Sequence, residues 1–205
     1  MNLPNKITTF RMICVIIIDF ILLFPWASCG VTMPLVFGAI SLEYFISAIL
    51  FVVASFSDFL DGYLARKYKL VTTYGKFMDP IADKLLVDTV VIIMTIQHPE
   101  LVPPIVAVIM IARDLLVDAL RQVASSKGIV LAANMWGKAK TVAQMLALSL
   151  ALLLDWPFSL INGLPISITA ILCYIAGIVS LLSGVLYFTK NLNVFNDKEE
   201  TPKGE

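Results

Sequence analysis

Six stretches of about twenty mostly apolar residues run through this chain, each long enough to cross the hydrocarbon of a bilayer as a single helix. They cover residues 7–26, 35–56, 77–96, 102–124, 136–154 and 166–188. Inside a membrane every backbone N–H and C=O must be paired within the protein, and a helix achieves this by itself. Hydrophobic residues make up 59% of the chain and charged residues 15%, so little polar sequence remains for a soluble domain. The expected fold is an all-α integral membrane protein of six transmembrane helices. It forms one domain over residues 1–195, followed by a polar, frayed tail at 196–205. No internal repeat or low-complexity stretch stands out.

The net charge is zero and points to no partner, but its distribution is informative. With the amino terminus inside, every Lys and Arg falls on the inner side or in the inner half of a helix, and loops 27–34, 97–103 and 155–165 hold neither. This positive-inside pattern places both termini in the cytoplasm. Lys6, Arg11, an apolar run and Ala27-Ser28-Cys29-Gly30 offer the alternative of a cleaved signal peptide. Pro25 and Trp26 suit such a cleavage site poorly, and an even number of spans explains the charges without it. Cys14, Cys29 and Cys173 are far apart, lack metal-ligand spacing, and are expected to be packed thiols. No nucleic-acid partner is expected.

Into this apolar background one segment places four carboxylates, two glycines and an arginine: Asp58-x-x-Asp61-Gly62-x-x-Ala65-Arg66, eight residues, then Gly75-x-x-x-Asp79-x-x-x-Asp83. Buried carboxylates are costly unless something positive sits among them. On an ideal helix Asp58 and Asp61 are about 60° apart and Asp79 and Asp83 about 40° apart, so each pair shares a face. Two such faces meeting would form a cage of hard oxygen ligands suited to one or two Mg²⁺ or Mn²⁺ ions, and unsuited to zinc as the physiological metal. The alternative is a solvated acidic helix end. Gly62 and Gly75 leave room for close approach. Arg66 offers a planar donor fork to a phosphate oxygen. Metal, arginine and a spare carboxylate together suggest phosphoryl chemistry at the cytoplasmic membrane surface, with one aspartate taking the proton of an attacking hydroxyl.

These eight positions and their spacing resemble the signature of the CDP-alcohol phosphotransferase family, and six helices would cover the chain as that family's fold does. The resemblance implies transfer of a phosphatidyl group from a CDP-linked lipid to an alcohol, with release of CMP. Residue by residue, it implies that Asp58, Asp61 and Asp79 bind metal. Asp83 would complete the second metal position and act as base on the acceptor hydroxyl. Gly62, Arg66 and Gly75 would line the CDP site. Asn5, Thr8 and Arg11, in Pro4-Asn5-x-x-Thr8-x-x-Arg11, resemble the family's amino-terminal element beside the nucleotide. An interfacial helix is the competing reading, with Asn5 or Thr8 as caps and Arg11 snorkelling to headgroups. The resemblance also implies a homodimer.

The signature does not name the acceptor, and a second cluster is more telling. Arg113 and Arg121 fall in the fourth stretch, and Lys138, Lys140 and Thr141 open the fifth. Arg113 lies about 12 Å deeper than Arg121, where a cation needs a counter-ion or a wet cavity. Asp118 can reach Arg121, and Asp114 adjoins Arg113, but no acid follows Lys138 and Lys140 before Asp155. That surplus suits an acceptor that itself carries phosphate; snorkelling to anionic lipid is the alternative. Gly137-Lys138-Ala139-Lys140-Thr141-Val142-Ala143-Gln144, Ala112-Arg113-Asp114 and Leu120-Arg121 resemble the phosphatidylglycerophosphate synthase branch of the family. CDP-diacylglycerol and sn-glycerol 3-phosphate are then the expected substrates. A sister enzyme using phosphatidylglycerol, a cardiolipin synthase, is the nearest rival. A divalent-cation transporter is the rival of another class, although no matching acid set appears at the other membrane face.

The remaining polar residues receive modest expectations. Asp19 lies mid-membrane, either bonding a neighbouring helix or lining the substrate cavity. Asp88 is expected to pair with Lys84 along one helix. His98 is expected at the outer surface, merely solvated. Trp26, Trp156 and Tyr187 are expected near the membrane interfaces.

Overall fold

The computed structural model describes residues 3–68, 73–129, 131, 135–160 and 166–195, with the side chains of 3–4, 58–68, 73, 76 and 195 outside that description. The expected tail at 196–205 lies outside the described residues. Six long helices follow one another: α1 (Leu3–Leu23), α2 (Leu42–Tyr68), α3 (Thr73–Gln97), α4 (Pro104–Ser126), α5 (Met135–Leu152) and α6 (Ile168–Lys190).

The largest departure from the sequence expectation is at the second stretch. Residues 35–41 form a two-stranded antiparallel hairpin, pairing Leu35 with Ser41 and Val36 with Ile40. Its turn takes Phe37 and Gly38 through positive φ, which a glycine adopts at no steric cost. Helix α2 begins only at Leu42 but continues to Tyr68, so the segment carrying Asp58, Asp61, Gly62 and Arg66 is helical throughout.

Helix α1 packs on α2 and α3, α6 packs on α4 and α5, and α5 joins the two groups by touching α2 and α3. Cys14, Ile18, Phe51, Val90, Met94, Met110 and Leu148 meet in one core cluster. Small residues allow the closest approach between α4 and α6. A Cβ on Gly177 would stand 3.2 Å from Val106 Cγ1, the kind of contact by which helices associate without a hydrophobic driving force. Helix α6 starts with two side-chain caps: Ser167 Oγ accepts from Ala170 N at 3.0 Å, and Asp155 Oδ1 accepts from Thr169 N at 2.8 Å.

Outward faces are as apolar as the interior. Ile16, Phe20, Val52, Leu116, Ile178 and Val185 are all about half exposed or more. A helix apolar all round belongs in a large core or in a membrane. Among the described residues one helix, Ile168–Lys190, is both long and apolar enough to cross a membrane by length and composition alone; the apolar run Leu42–Ser57 is shorter.

Several local expectations are corrected by tertiary contacts. Cys14 and Cys173 are buried, but Cys29 is exposed on the connection after α1. His98 is not merely solvated: its Nδ1 lies 3.0 Å from Glu100 Oε1 and its Nε2 3.0 Å from Tyr44 Oη. Lys84 forms its ion pair across helices with Asp118 of α4, while Asp88 interacts with it only through the longer-range field.

Candidate active site

Two polar regions meet on α3. Asp79 and Asp83 stand one turn apart on the same helix face, as their spacing requires. From α1 the Thr8 hydroxyl donates to Asp79 Oδ1 at 2.5 Å. Asn5, Thr8 and Arg11 are all buried, Arg11 completely. A side chain reaching for headgroups would keep its guanidinium in water, so the snorkelling alternative fails here, and the first turns of α1 belong to the acidic region. Gly75 is buried at the start of α3. The side chains of Asp58, Asp61, Gly62 and Arg66 lie outside the described residues, although their backbone belongs to α2.

Among the described residues no group of three or more His, Cys, Asp or Glu converges as a metal site. Asp79 and Asp83 do supply hard carboxylate oxygens on one face, and the Thr8 hydroxyl orients the first of them. This donor chemistry fits a hard divalent cation.

The second region is a cavity of about 230 Å³. Helix α3 contributes Asp83 and Lys84, α4 contributes Arg113, Asp114, Asp118 and Arg121, and α5 contributes Lys138, Lys140 and Thr141. A neighbouring cleft of about 280 Å³ is lined by Asp79 and Asp83 together with Lys84, Asp118 and Arg121. Asp83 thus faces both spaces, as do Lys84, Asp118 and Arg121, and Asp79 lies on the cleft side while Arg113, Lys138 and Lys140 lie on the cavity side.

The pairing within the basic cavity differs from the expected one. Asp114 is buried and bridges two helices: Oδ1 accepts from Arg113 Nη1 at 2.9 Å, and Oδ2 accepts from Lys140 Nζ at 2.5 Å. Lys140 therefore has an acid after all, supplied by α4. Arg121 does not pair with Asp118. Its Nε donates to Tyr187 Oη at 3.2 Å, and its guanidinium lies 5.3 Å from the centre of that ring. Tyr187 is buried in the cavity wall. Ser183, one turn earlier on α6, accepts from Arg113 Nη2 at 2.7 Å. Lys138 is exposed, and Thr141 bonds back to the Gly137 carbonyl at 3.1 Å while lining the cavity. The bridge from Asp114 to Lys140 and the α6 hydroxyls escaped sequence reasoning because all are long-range. The only signal was the run of small residues that lets α6 come close.

Gly184 explains how Arg113 fits. A Cβ there would stand 2.8 Å from Arg113 Cγ. Gly184→Ala is therefore expected to displace the arginine and raise the KM for a phosphorylated acceptor several-fold, about threefold or more, with the KM for the lipid donor unchanged. Steady-state titration of each substrate checks this.

Comparison with known proteins agrees with this architecture. The family model for CDP-alcohol phosphatidyltransferase matches residues 1–185. A CDP-diacylglycerol–glycerol-3-phosphate 3-phosphatidyltransferase of Bacillus subtilis (strain 168) is 42% identical over 192 residues, covering 93% of this chain and 95% of the relative. Proteins of the same name from Haemophilus influenzae and Rickettsia bellii are 38% and 39% identical over 189 residues, covering 91% of this chain and 91% and 93% of their own lengths. With its acidic α2–α3 segment and the model match running from the first residue into α6, this chain belongs to the CDP-alcohol phosphatidyltransferase family.

Proposed function

We propose that this chain transfers the phosphatidyl group of CDP-diacylglycerol to sn-glycerol 3-phosphate, yielding phosphatidylglycerol phosphate and CMP. The observation that carries this reading is the position of Asp83, shared between the acidic cleft and a cavity lined by Lys84, Arg113, Arg121, Lys138 and Lys140. Family membership and relatives bearing the corresponding name support it. In this reading all six helices cross the membrane, both termini and the site face the cytoplasm, and residues 1–195 form one domain. The apolar outer faces and the lysine- and arginine-free loops support that placement. A homodimer belongs to the same proposal, on family resemblance.

Asp58, Asp61, Asp79 and Asp83 would hold Mg²⁺ or Mn²⁺, two ions in the full set. The metal supplies neutralisation of the donor diphosphate and of the charge that develops on the departing CMP. Asn5, Thr8, Gly62, Arg66 and Gly75 would bind the CDP-lipid, with Thr8 holding Asp79 in orientation. Arg113, Arg121, Lys138, Lys140 and Thr141 would hold the acceptor phosphate. They would leave its 1-hydroxyl toward Asp83. Asp83 takes the hydroxyl proton as the oxygen attacks the phosphorus bearing diacylglycerol, and the bond from that phosphorus to CMP breaks. One direct displacement accounts for these roles, because Asp83 is already employed as base.

The test is CMP release from CDP-diacylglycerol by purified protein with Mg²⁺, comparing glycerol 3-phosphate, phosphatidylglycerol, inositol and serine. Release with glycerol 3-phosphate alone is expected. Release only with phosphatidylglycerol would make the protein the sister cardiolipin synthase. No release from folded protein, together with divalent-cation uptake into vesicles, would replace the enzyme by a transporter.

A further inference from the structure

We propose that Asp114 is a positioning residue for the acceptor, a buried carboxylate that clamps Arg113 and Lys140 so that both present their free donors to one phosphate group. The proposal rests on the acceptor reading above. Asp114 has a side chain 10% exposed, and its two oxygens serve different helices: Arg113 of its own α4 and Lys140 of α5. Its main-chain carbonyl accepts from Lys84 Nζ of α3 at 3.4 Å. One residue thus touches three of the five cations that line the cavity.

The geometry is that of an orienting clamp. Arg113 is held on both sides, Nη1 by Asp114 and Nη2 by Ser183, which fixes the plane of the guanidinium. A fork fixed in its plane loses little further freedom when it binds a tetrahedral oxyanion. Lys140 is different: a four-carbon stem with many rotamers and a point charge at its end. Its side chain is 8% exposed, and Asp114 is its recorded hydrogen-bond acceptor. Without that acceptor the ammonium would sample other orientations, at an entropic cost paid again on binding.

Charge count gives the competing account a different sign. The cavity lining holds five cations and three carboxylates, Asp83, Asp114 and Asp118, an excess of two positive charges. That matches a phosphate monoester near its dianionic form and exceeds the single charge of a diester. Removing the charge of Asp114 would raise the excess, so Coulomb attraction alone predicts tighter acceptor binding. An orienting clamp predicts weaker binding.

Full-length Asp114→Asn decides between them. The expected result is a KM for glycerol 3-phosphate raised about ten- to a hundredfold. Turnover at saturation should stay within about threefold, and the KM for CDP-diacylglycerol should not move. An unchanged or lowered acceptor KM would overturn the proposal. Should Asp114→Asn not fold, Asp114→Glu keeps the charge but displaces it by one methylene. It is expected to raise the acceptor KM by an intermediate factor, and an unchanged KM there would equally overturn the proposal. A readout independent of turnover is the rise in thermal midpoint of the wild-type protein caused by inorganic phosphate, expected to vanish in the variants. If the wild type released no CMP with glycerol 3-phosphate yet lost this phosphate effect on Asp114 substitution, the acceptor assignment would fall and the clamp would stand. A phosphate effect that survives substitution would remove the clamp whatever the acceptor.

Discussion

Asp83→Asn is expected to lower turnover by about a hundredfold to ten-thousandfold, the range attributed to a positioned general base. Asparagine keeps the shape and one carbonyl oxygen, so lipid-donor binding should persist. The variant cannot accept the proton of the attacking hydroxyl. In the fold Asp83 stands one turn from Asp79 on α3 and faces both the acidic cleft and the basic cavity, which suits the proposed role. The measurement is CMP release at saturating donor and acceptor, paired with a Mg²⁺ titration. A large fall in turnover at saturating Mg²⁺ supports the base. Full activity in the variant would remove Asp83 from that role, and a shift of the Mg²⁺ midpoint with normal maximal turnover would leave it a metal ligand only.

Asp79→Ala should be comparably damaging for a different reason. It removes a carboxylate from the proposed metal set and breaks the bond that the Thr8 hydroxyl now donates to Asp79 Oδ1 at 2.5 Å. Loss of a ligand's supporting partner alone costs about ten- to a hundredfold in metal affinity or activity, so loss of the ligand itself should cost at least about a hundredfold. Added Mg²⁺ should not restore the rate within the soluble range of the salt. An unchanged Mg²⁺ titration curve would contradict the ligand assignment, and by extension that of Asp58 and Asp61 on the preceding helix.

How much of the site was legible beforehand depends on the range of the interaction. Asp79 and Asp83 share a face because four residues make about one helical turn, a fact independent of what surrounds them. The apolar stretches likewise announced six helices, all present, with ends displaced by a few residues except in the second, which starts after 35–41 and runs on past 56 to Tyr68. At 35–41 a hairpin replaces the expected start of α2, because Pro34 and Gly38 favour a turn over a helix and the strand pair satisfies its own backbone. The partner of Lys84, expected to be Asp88, was misassigned for the opposite reason. Within one helix Asp118 is the natural partner of Arg121, yet in the fold it meets Lys84 of α3 while Arg121 turns to Tyr187 of α6. Local spacing names the partners a residue can reach, and packing chooses among them.

The sequence by itself determined the helical class, the acidic signature with its spacing, and the gathering of cations along the fourth helix and at the start of the fifth. Each follows from periodicity or composition along a single segment. Only the tertiary structure decided that Thr8 bonds Asp79, that Asp83 faces both the acidic cleft and the basic cavity, and that Asp114 ties Arg113 to Lys140. These contacts join residues from α1 with α3 and from α4 with α5 and α6. They depend on small side chains such as Gly177 and Gly184 letting helices approach closely, which no single segment reveals because the close approach belongs to the pair.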